Sequence, residues 1–285
     1  MMTRLAIVWQ DSLLALAFGR PPASHEMDLE DDLPLLGGSL NHGGLTYLEA
    51  MNWLCHITLR HLSSYQKVPN QPMSALNDIK SIEASLASHL IDPKKSTSIL
   101  QMQEHHAFEL HRHFVISTLC RPFVSSSGSL ELSGSDRPIV LDQFQDSLRR
   151  SVRAYARLRS LAPHARRSWA FIHNGLTSIL LLSLMKETRC LPETRTLQDE
   201  LIASLSEDDN PVPSSDSSIT GHLSDTLKKA LRALRTLRTL TERDINAQNP
   251  ALDINGIEGQ MVSASENRPD MMGAGDLDHA VDIPE

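Results

Sequence analysis

The residue types best suited to chemistry are concentrated in one histidine-rich segment, residues 104–113. If this segment is helical, His105, Glu109 and His113 follow one another at four-residue steps and lie along one stripe. Neighbouring members of such a stripe can chelate a divalent metal ion, as paired histidines do in zinc metalloproteases. Here no two histidines four residues apart enclose a glutamate, and nothing in the sequence marks a third ligand. We therefore expect a mixed polar helix face with hydrogen-bonded or solvent-facing imidazoles, and no metal site.

Other catalytic motifs are also missing from the sequence. Neither of the common glycine-rich phosphate-binding patterns occurs. The segment His42-Gly43-Gly44 is similar to an oxyanion-hole loop of hydrolases, but no Gly-x-Ser-x-Gly nucleophile elbow accompanies it. Cys55, Cys120 and Cys190 are too far apart in sequence to form a zinc ribbon or a Cys-x-x-Cys redox pair. We therefore predict that the chain is not an enzyme and binds no cofactor, with a helical enzyme acting on a small metabolite as the least favoured alternative.

A cluster of arginines raises the question of nucleic-acid binding. Positions 149, 150, 153, 157 and 159 are all arginine and lie in one predicted helix. Tyr155 is the only aromatic residue among them, whereas base-stacking surfaces need several. Asp146 precedes Arg150 by four residues and can pair with it on a helix. A solvated, ion-paired face is the favoured interpretation, and a nucleic-acid patch is the alternative.

The net charge of −8 is confined to the C-terminal end of the chain. Residues 244–285 contain nine acidic residues and one basic residue, Arg268, so residues 1–243 have equal numbers of acidic and basic groups. A neutral body provides no overall positive field for the DNA backbone. We therefore expect no direct sequence-specific DNA contact. The C-terminal segment mixes acidic and aliphatic residues, which is typical either of an ordinary disordered end or of an acidic activation segment.

The composition favours helices over strands. Hydrophobic residues make up 40% of the 285 residues, enough for a packed core, but aromatic residues make up only 4%. Leucine, alanine and methionine dominate the apolar positions, and these residues favour helices. Apolar periodicity and breaks at proline, glycine and serine predict helices over residues 3–18, 45–66, 73–90, 99–120, 140–161, 168–188, 195–205 and 223–243.

These segments predict an all-α fold in which many helices pack as a bundle. The domain is expected to span residues 1–243, with 168–188 as its central helix because that segment is the most apolar. Residues 125–135 are predicted to be a flexible loop and 206–218 a polar linker. Residues 244–285 are predicted to be a disordered acidic tail. No segment reaches the roughly 20 apolar residues that a membrane span needs, so we expect no membrane contact.

The helix predicted over residues 223–243 is the strongest candidate for a partner contact. Leu227, Ala230, Leu234 and Leu237 recur at three- and four-residue steps, and basic residues cover the remaining positions. Two to three heptads are too few for a stable zipper on their own. Packing of the helix onto the core of its own chain is the favoured interpretation. A homodimer or a partner helix bound through Leu227, Leu234 and Leu237 is the first alternative.

Several stretches, in order, resemble one known family. Residues 8–22 are similar to an aromatic-x-Asp-x-x-Leu…Gly-Arg-Pro motif, which here comprises Trp9, Asp11, Gly19, Arg20 and Pro21. The acidic stretch 28–34 ends in Leu-Pro, residues 105–123 end in a second motif containing Arg121-Pro122-Phe123, and Arg-Cys-Leu-Pro follows at 189–192. Together they resemble the middle homology region of fungal-specific transcription factors, the helical xylanolytic-activator-type domain of binuclear zinc-cluster proteins.

The resemblance implies a function in transcription. It implies a nuclear regulatory domain that controls RNA polymerase II transcription through the transcription machinery or co-regulators, and that either senses a metabolite or holds the activator inactive. Zinc belongs to the six-cysteine cluster of that family, which these 285 residues do not contain. The residue physics suggests that Arg20 and Arg121, each next to a proline at a predicted helix end, tie those ends to neighbouring loops. The alternative is that they shape a groove for a ligand or partner. A helical scaffold without a transcriptional role is the alternative function.

Overall fold

The computed structural model describes residues 2–18, 20, 22–26, 33, 43–63, 72–124, 136–209 and 225–248. Within these ranges the chain is helical, and its only β-type pairing is an isolated bridge between Leu45 and Leu86. The α-helices are α1 (Met2–Phe18), α2 (Tyr47–Ser63), α3 (Pro72–Glu83), α4 (Ser88–Ile91), α5 (Ile99–Val124), α6 (Asp136–Leu161), α7 (Trp169–Leu184), α8 (Pro192–Asp209) and α9 (Asp225–Gln248).

The predicted all-α class is confirmed. The described helices of residues 1–245 belong to one compact unit with a continuous apolar core, which includes Met51, Phe108, Leu148, Ile179 and Leu201. The predicted loop 125–135, residues 210–218 of the predicted linker and residues 249–285 of the predicted tail lie outside the described residues.

The central helix is α5, so the prediction that residues 168–188 form it is wrong. Eight consecutive residues of α5, 110–117, are buried, and the helix packs against α2, α3, α4, α6 and α7. Helix α7 is more apolar in sequence but leaves Trp169 and Leu184 exposed at its ends. Apolar composition failed as a guide because α5 buries paired histidines and an arginine among its apolar side chains.

The single helix predicted over residues 73–90 is broken into α3 and α4. Backbone pairing causes the break: the Leu45 amide donates to the Ser85 carbonyl at 2.7 Å, and the Ala87 amide donates to the Leu45 carbonyl at 3.0 Å. Gly44 permits this approach. Its φ is +97°, and a Cβ atom built there would lie 2.6 Å from the Leu86 carbonyl oxygen.

Helix α5 does not end at Arg121-Pro122 as predicted but continues through Pro122 to Val124. Proline inside a helix costs ~3 kcal/mol because it lacks an N–H and crowds the preceding turn. The next residue, Phe123, is buried in the core, and burial of such a ring contributes about 1.5–3 kcal/mol. The two terms are of similar size, so the last turn persists beyond the proline.

The last two helices are longer than predicted. Helix α8 begins at Pro192, a residue that is well suited to the first turn of a helix, and extends to Asp209, so residues 206–209 are not linker. Helix α9 extends to Gln248, so residues 244–248 are not disordered tail. Side-chain contacts accompany both extensions: Arg235 donates to the Ser206 hydroxyl at 2.8 Å, and Arg189 pairs with Asp244 at 2.9 Å.

Helices α6 and α7 cross at a glycine. A Cβ atom built at Gly175 would lie 2.2 Å from Cδ1 of Tyr155, a distance that real side chains do not tolerate. Tyr155 is fully buried, so its ring has little freedom to move away. The spacing of α6 and α7 therefore depends on the absence of a side chain at position 175.

We predict that Gly175→Ala destabilises the protein by ~1–3 kcal/mol through overpacking against Tyr155. In an unobstructed helix the same change would stabilise by roughly 0.5–1 kcal/mol, so the sign of the effect is diagnostic. Urea denaturation followed by circular dichroism measures it. The control is Thr177→Ala on the half-buried side of the same helix, which should change the free energy of unfolding little. A stabilised Gly175→Ala variant would show that the two helices are not in this contact.

Candidate functional site

The polar residues of the first motif link α1 to the chain segment that follows it, with Asp11 inside the helix and Arg20 beyond its end. Oδ2 of Asp11 accepts hydrogen bonds from the backbone amide and the hydroxyl of Ser24, both at 2.7 Å. The Arg20 guanidinium lies 3.4 Å from Oδ1 of the same carboxylate, and the Arg20 amide donates to the Ala15 carbonyl at 3.1 Å. The carboxylate of Asp11 thus ties the chain that follows α1 back onto the helix. Gly19 and Pro21 lie outside the described residues.

Trp9 fills the space between α1, α2 and α5. Its ring meets Tyr47 edge-on at a centroid distance of 6.3 Å and His111 edge-on at 6.5 Å. Its indole Nε1 is buried and has no hydrogen-bond partner in the described part of the chain. The aromatic residue of the first motif is therefore a packing residue that joins three helices.

The histidine stripe of α5 is used in helix packing. His105 is buried and its Nδ1 donates to the Leu90 carbonyl of α4 at 2.8 Å. His113 is also buried, and its Nε2 donates to Oε2 of Glu109 at 3.1 Å, while the Ser147 hydroxyl of α6 lies 3.4 Å from its Nδ1. Both imidazoles are hydrogen-bonded, and neither faces solvent.

A buried arginine organises the middle of the same helix. Arg112 makes ion pairs with Glu83 at the end of α3 and with Glu109 one turn earlier in α5, the latter at 2.6 Å. Burial alone would raise the pKa of Glu109, but the hydrogen bond from His113 and the positive charge of Arg112 outweigh it. The pKa of Glu109 is lowered to about 2. The cluster therefore holds an ionised carboxylate inside the fold and links α3 to α5.

A second polar contact links α5 to α7. The Asn174 side-chain amide donates to Nδ1 of His111 at 3.1 Å, which places the ring proton on Nε2. Burial lowers the pKa of His111 to about 4, so this imidazole stays neutral near neutral pH. Burial likewise lowers the pKa of His106 to about 4. Neither side chain is a proton carrier at physiological pH.

The arginine-rich face of α6 is ion-paired in part and buried in part. Arg150 pairs with Asp146 at 2.8 Å, and Glu193 of α8 pairs with both Arg149 and Arg153. Arg159, predicted on the solvated face, is instead 1% exposed. Its guanidinium donates to Ser204 of α8 at 3.2 and 3.3 Å and to the Tyr155 hydroxyl at 3.3 Å. The arginines thus bind α8 to α6.

The leucines of α9 are directed into their own chain. Leu227 and Leu234, together with Leu231, belong to the buried core, and Leu237 is half-buried. Arg238 adds an ion pair of 2.8 Å to Asp199 of α8. The core therefore covers Leu227, Leu231 and Leu234, so Leu227 and Leu234 are not free to bind a partner helix, whereas Leu240 is exposed.

The second motif lies at the mouth of a groove. The end of α5, the start of α6 and the end of α7 line a half-open groove of about 450 Å³, a size typical of small-molecule sites. Arg121 is exposed at its rim, as are Arg137 and Glu187, whereas Phe123 and Phe144 form its buried floor. Because α5 continues to Val124, Arg121 lies in its last turn rather than at its end, and its position on the groove fits the alternative role in shaping a groove.

Exposed aromatic residues lie on another part of the surface. Phe18 at the end of α1 is 70% exposed, and Trp169 at the start of α7 is 42% exposed. Their rings are stacked with centroids 6.4 Å apart and planes 22° apart. Adjacent exposed aromatic rings are typical of surfaces that bind proteins, in which tryptophan is enriched.

Sequence inspection gave a groove at Arg121 only as an alternative, and it missed the apolar floor of the groove and the buried arginines, because these depend on contacts between distant segments. Arg112 and Glu83 are 29 positions apart in the sequence, and no local pattern signals their pairing.

Among the described residues, no group of three or more histidines, cysteines or acidic residues is arranged to hold a metal ion. None of the described helices is long and apolar enough to cross a membrane. Burial raises the pKa of Cys55 and Cys120 to about 12, so both thiols stay protonated.

Comparisons with family models, curated proteins and solved structures find no match for this chain. The family resemblance described from the motifs therefore stays a prediction.

We predict that Asp11→Ala destabilises the protein by ~1–3 kcal/mol, because two donors of the buried Ser24 lose their acceptor. Arg20→Ala should cost less than ~1 kcal/mol, since the Arg20–Asp11 pair is half-exposed. Gln10→Ala, at an exposed neighbouring position, is the control. Chemical denaturation of the three variants tests the order. Equal losses for Asp11→Ala and Arg20→Ala would show that the ion pair, not the Ser24 contact, holds this turn.

We also predict that stability decreases as the pH falls from 6.5 towards 4.5. His111 and His106 have folded-state pKa values of about 4, below the ordinary 6.5, so the unfolded chain binds protons that the folded chain does not. His111→Gln keeps an acceptor for Asn174 but does not titrate. It should flatten the slope by up to about 1.4 kcal/mol per pH unit. Urea midpoints across this range measure the slope, and His164→Gln at an exposed position should leave it unchanged. An unchanged slope in His111→Gln would contradict the prediction.

Proposed function

We propose that this chain is the regulatory domain of a fungal zinc-cluster transcription factor. It acts in the nucleus on RNA polymerase II transcription, through contacts with co-regulators rather than by catalysis. The zinc-cluster module that reads DNA in that family is not among these 285 residues. Sequence-specific DNA binding is therefore not assigned to this chain.

One observation supports the proposal: two motifs occur in the order of that family, and residues of each take part in a tertiary contact or line the groove. Asp11 and Arg20 of the first motif meet around Ser24, and Arg121 of the second borders the groove beside α5. The acidic and aliphatic composition of residues 249–285 adds a segment that resembles an activation region.

The contact surface that we assign to a co-regulator is the exposed aromatic pair Phe18–Trp169. Phe18 immediately precedes Gly19-Arg20-Pro21, so the pair lies beside the first motif. Stacked rings bury a large apolar area when a partner covers them, with little loss of side-chain entropy. Leu184 is also exposed, but it lies at the other end of α7, about 20 Å away along the helix axis.

A tethered reporter assay tests the proposal. Residues 1–285 are fused to a heterologous DNA-binding domain, and reporter transcription is compared with that of the DNA-binding domain alone. We expect a several-fold change in transcription. Phe18→Ser and Trp169→Ser should reduce that change, and Leu184→Ser is the control that should not. A fusion ending at Gln248 tests whether the acidic segment is needed.

Two outcomes would contradict the proposal. Transcription equal to that of the DNA-binding domain alone, in a fusion that accumulates to normal levels, would favour the helical scaffold without a transcriptional role. A change retained in full by Phe18→Ser and Trp169→Ser would show that the contacts lie elsewhere on the surface.

A further inference from the structure

The groove between α5, α6 and α7 has an apolar floor. Phe123 and Val124 come from the end of α5, Leu141 and Phe144 from the first turns of α6, and Leu181 and Met185 from the end of α7. Phe123 and Phe144 are buried, whereas the other four are half-buried and leave apolar surface in the groove. About 450 Å³ of space above this floor is large enough for a small apolar molecule.

The rim of the groove is charged and asymmetric. Arg121 on α5 and Arg137 on α6 are both exposed, and in the described ranges of the chain neither forms an ion pair with a carboxylate. Two guanidinium groups on separate helices favour an anion placed between them, because the planar N–H fork matches the two oxygens of a carboxylate. Glu187 on the same rim offsets one of the two positive charges and disfavours a second negative charge on a ligand.

We propose that this groove binds an amphiphilic monocarboxylate, with its carboxylate between Arg121 and Arg137 and its hydrocarbon chain on the floor of Phe123, Phe144, Leu181 and Met185. A ligand of this class fits both parts of the groove. Its hydrocarbon chain packs on the apolar floor, and its single carboxylate matches the net single positive charge of the rim. This assignment names a ligand class for the regulatory role proposed above and rests on that role only for its biological meaning. The binding itself is a property of the folded chain.

Isothermal titration calorimetry of the full chain with decanoate, kept below its aggregation concentration, tests the proposal. Saturable one-to-one binding is expected. Decanol, which lacks the charge, and sebacate, which carries a second carboxylate, should both bind at least about tenfold more weakly, since each loses or opposes the charge-assisted contact. Decylammonium should not bind measurably, because its charge is repelled by the arginines.

Matched variants locate the site. Arg121→Gln and Arg137→Gln should each weaken decanoate binding about tenfold or more. Arg150→Gln is the control, because Arg150 is an exposed arginine of α6 that pairs with Asp146 and does not line the groove. Glu187→Gln should strengthen the binding of sebacate relative to decanoate. All four positions are exposed, and thermal unfolding checks that the variants stay folded.

Three results would overturn the proposal: no saturable binding of decanoate, unchanged affinity in both Arg121→Gln and Arg137→Gln, or binding of decanol as tight as that of decanoate. A fourth is binding of an acidic peptide with the sequence of residues 270–285 in place of decanoate, which would make the groove a peptide site. Failure of the regulatory role is distinguishable from these results, since decanoate would still bind while the tethered reporter stayed silent.

Discussion

The structure depends on burying the Arg112 guanidinium inside the helical core. Removing a charge from water is costly unless ionised partners surround it, and Glu83 and Glu109 are those partners. Breaking a largely buried pair such as Arg112–Glu109 typically costs about 3–5 kcal/mol, a large share of the stability of a domain this size. The Glu83 side chain is 38% exposed, so its pair with Arg112 contributes less. Because Glu83 ends α3 and Glu109 lies one turn before Arg112, the pairing fixes where α3 meets α5. His113 extends the same cluster to Ser147 on α6.

The position of α5 also determines which helices its middle and its two ends contact. The Asn174–His111 hydrogen bond sets α7 against the middle of α5, near the close approach of Gly175 to Tyr155. The first half of α5 meets α4 through His105. The second half carries Phe123 and Arg121 to the groove, where α6 and α7 complete the walls. The polar interior and the groove are therefore parts of one arrangement, in which the interior sets the helix positions and the groove lies between the helix ends.

Local sequence patterns predicted the helical class and the approximate positions of the helices, because apolar periodicity and helix-breaking residues act over a few positions. They also predicted that Arg20 ties the end of α1 to the loop that follows, but not that Asp11 is the residue that it pairs with. They failed at Pro122, where burial of Phe123 outweighed a local helix breaker, and at residues 84–87, where pairing with Leu45 interrupted a periodic segment. They could not reveal that α5 is central, since its buried charges look solvated until their distant partners are known. The apolar floor of the groove could not be predicted for the same reason, since its residues come from three separate helices.

The contact between Gly175 and Tyr155 has an evolutionary consequence. With no room for even a methyl group at position 175, a larger residue there requires a smaller residue at position 155 in the same sequence. A lone change at position 155 would leave a void between α6 and α7 and weaken the Arg159 contact that joins α8 to them. Homologues that have diverged from this sequence should therefore change positions 155 and 175 together. That paired substitution would be a signature by which distant homologues can be recognised.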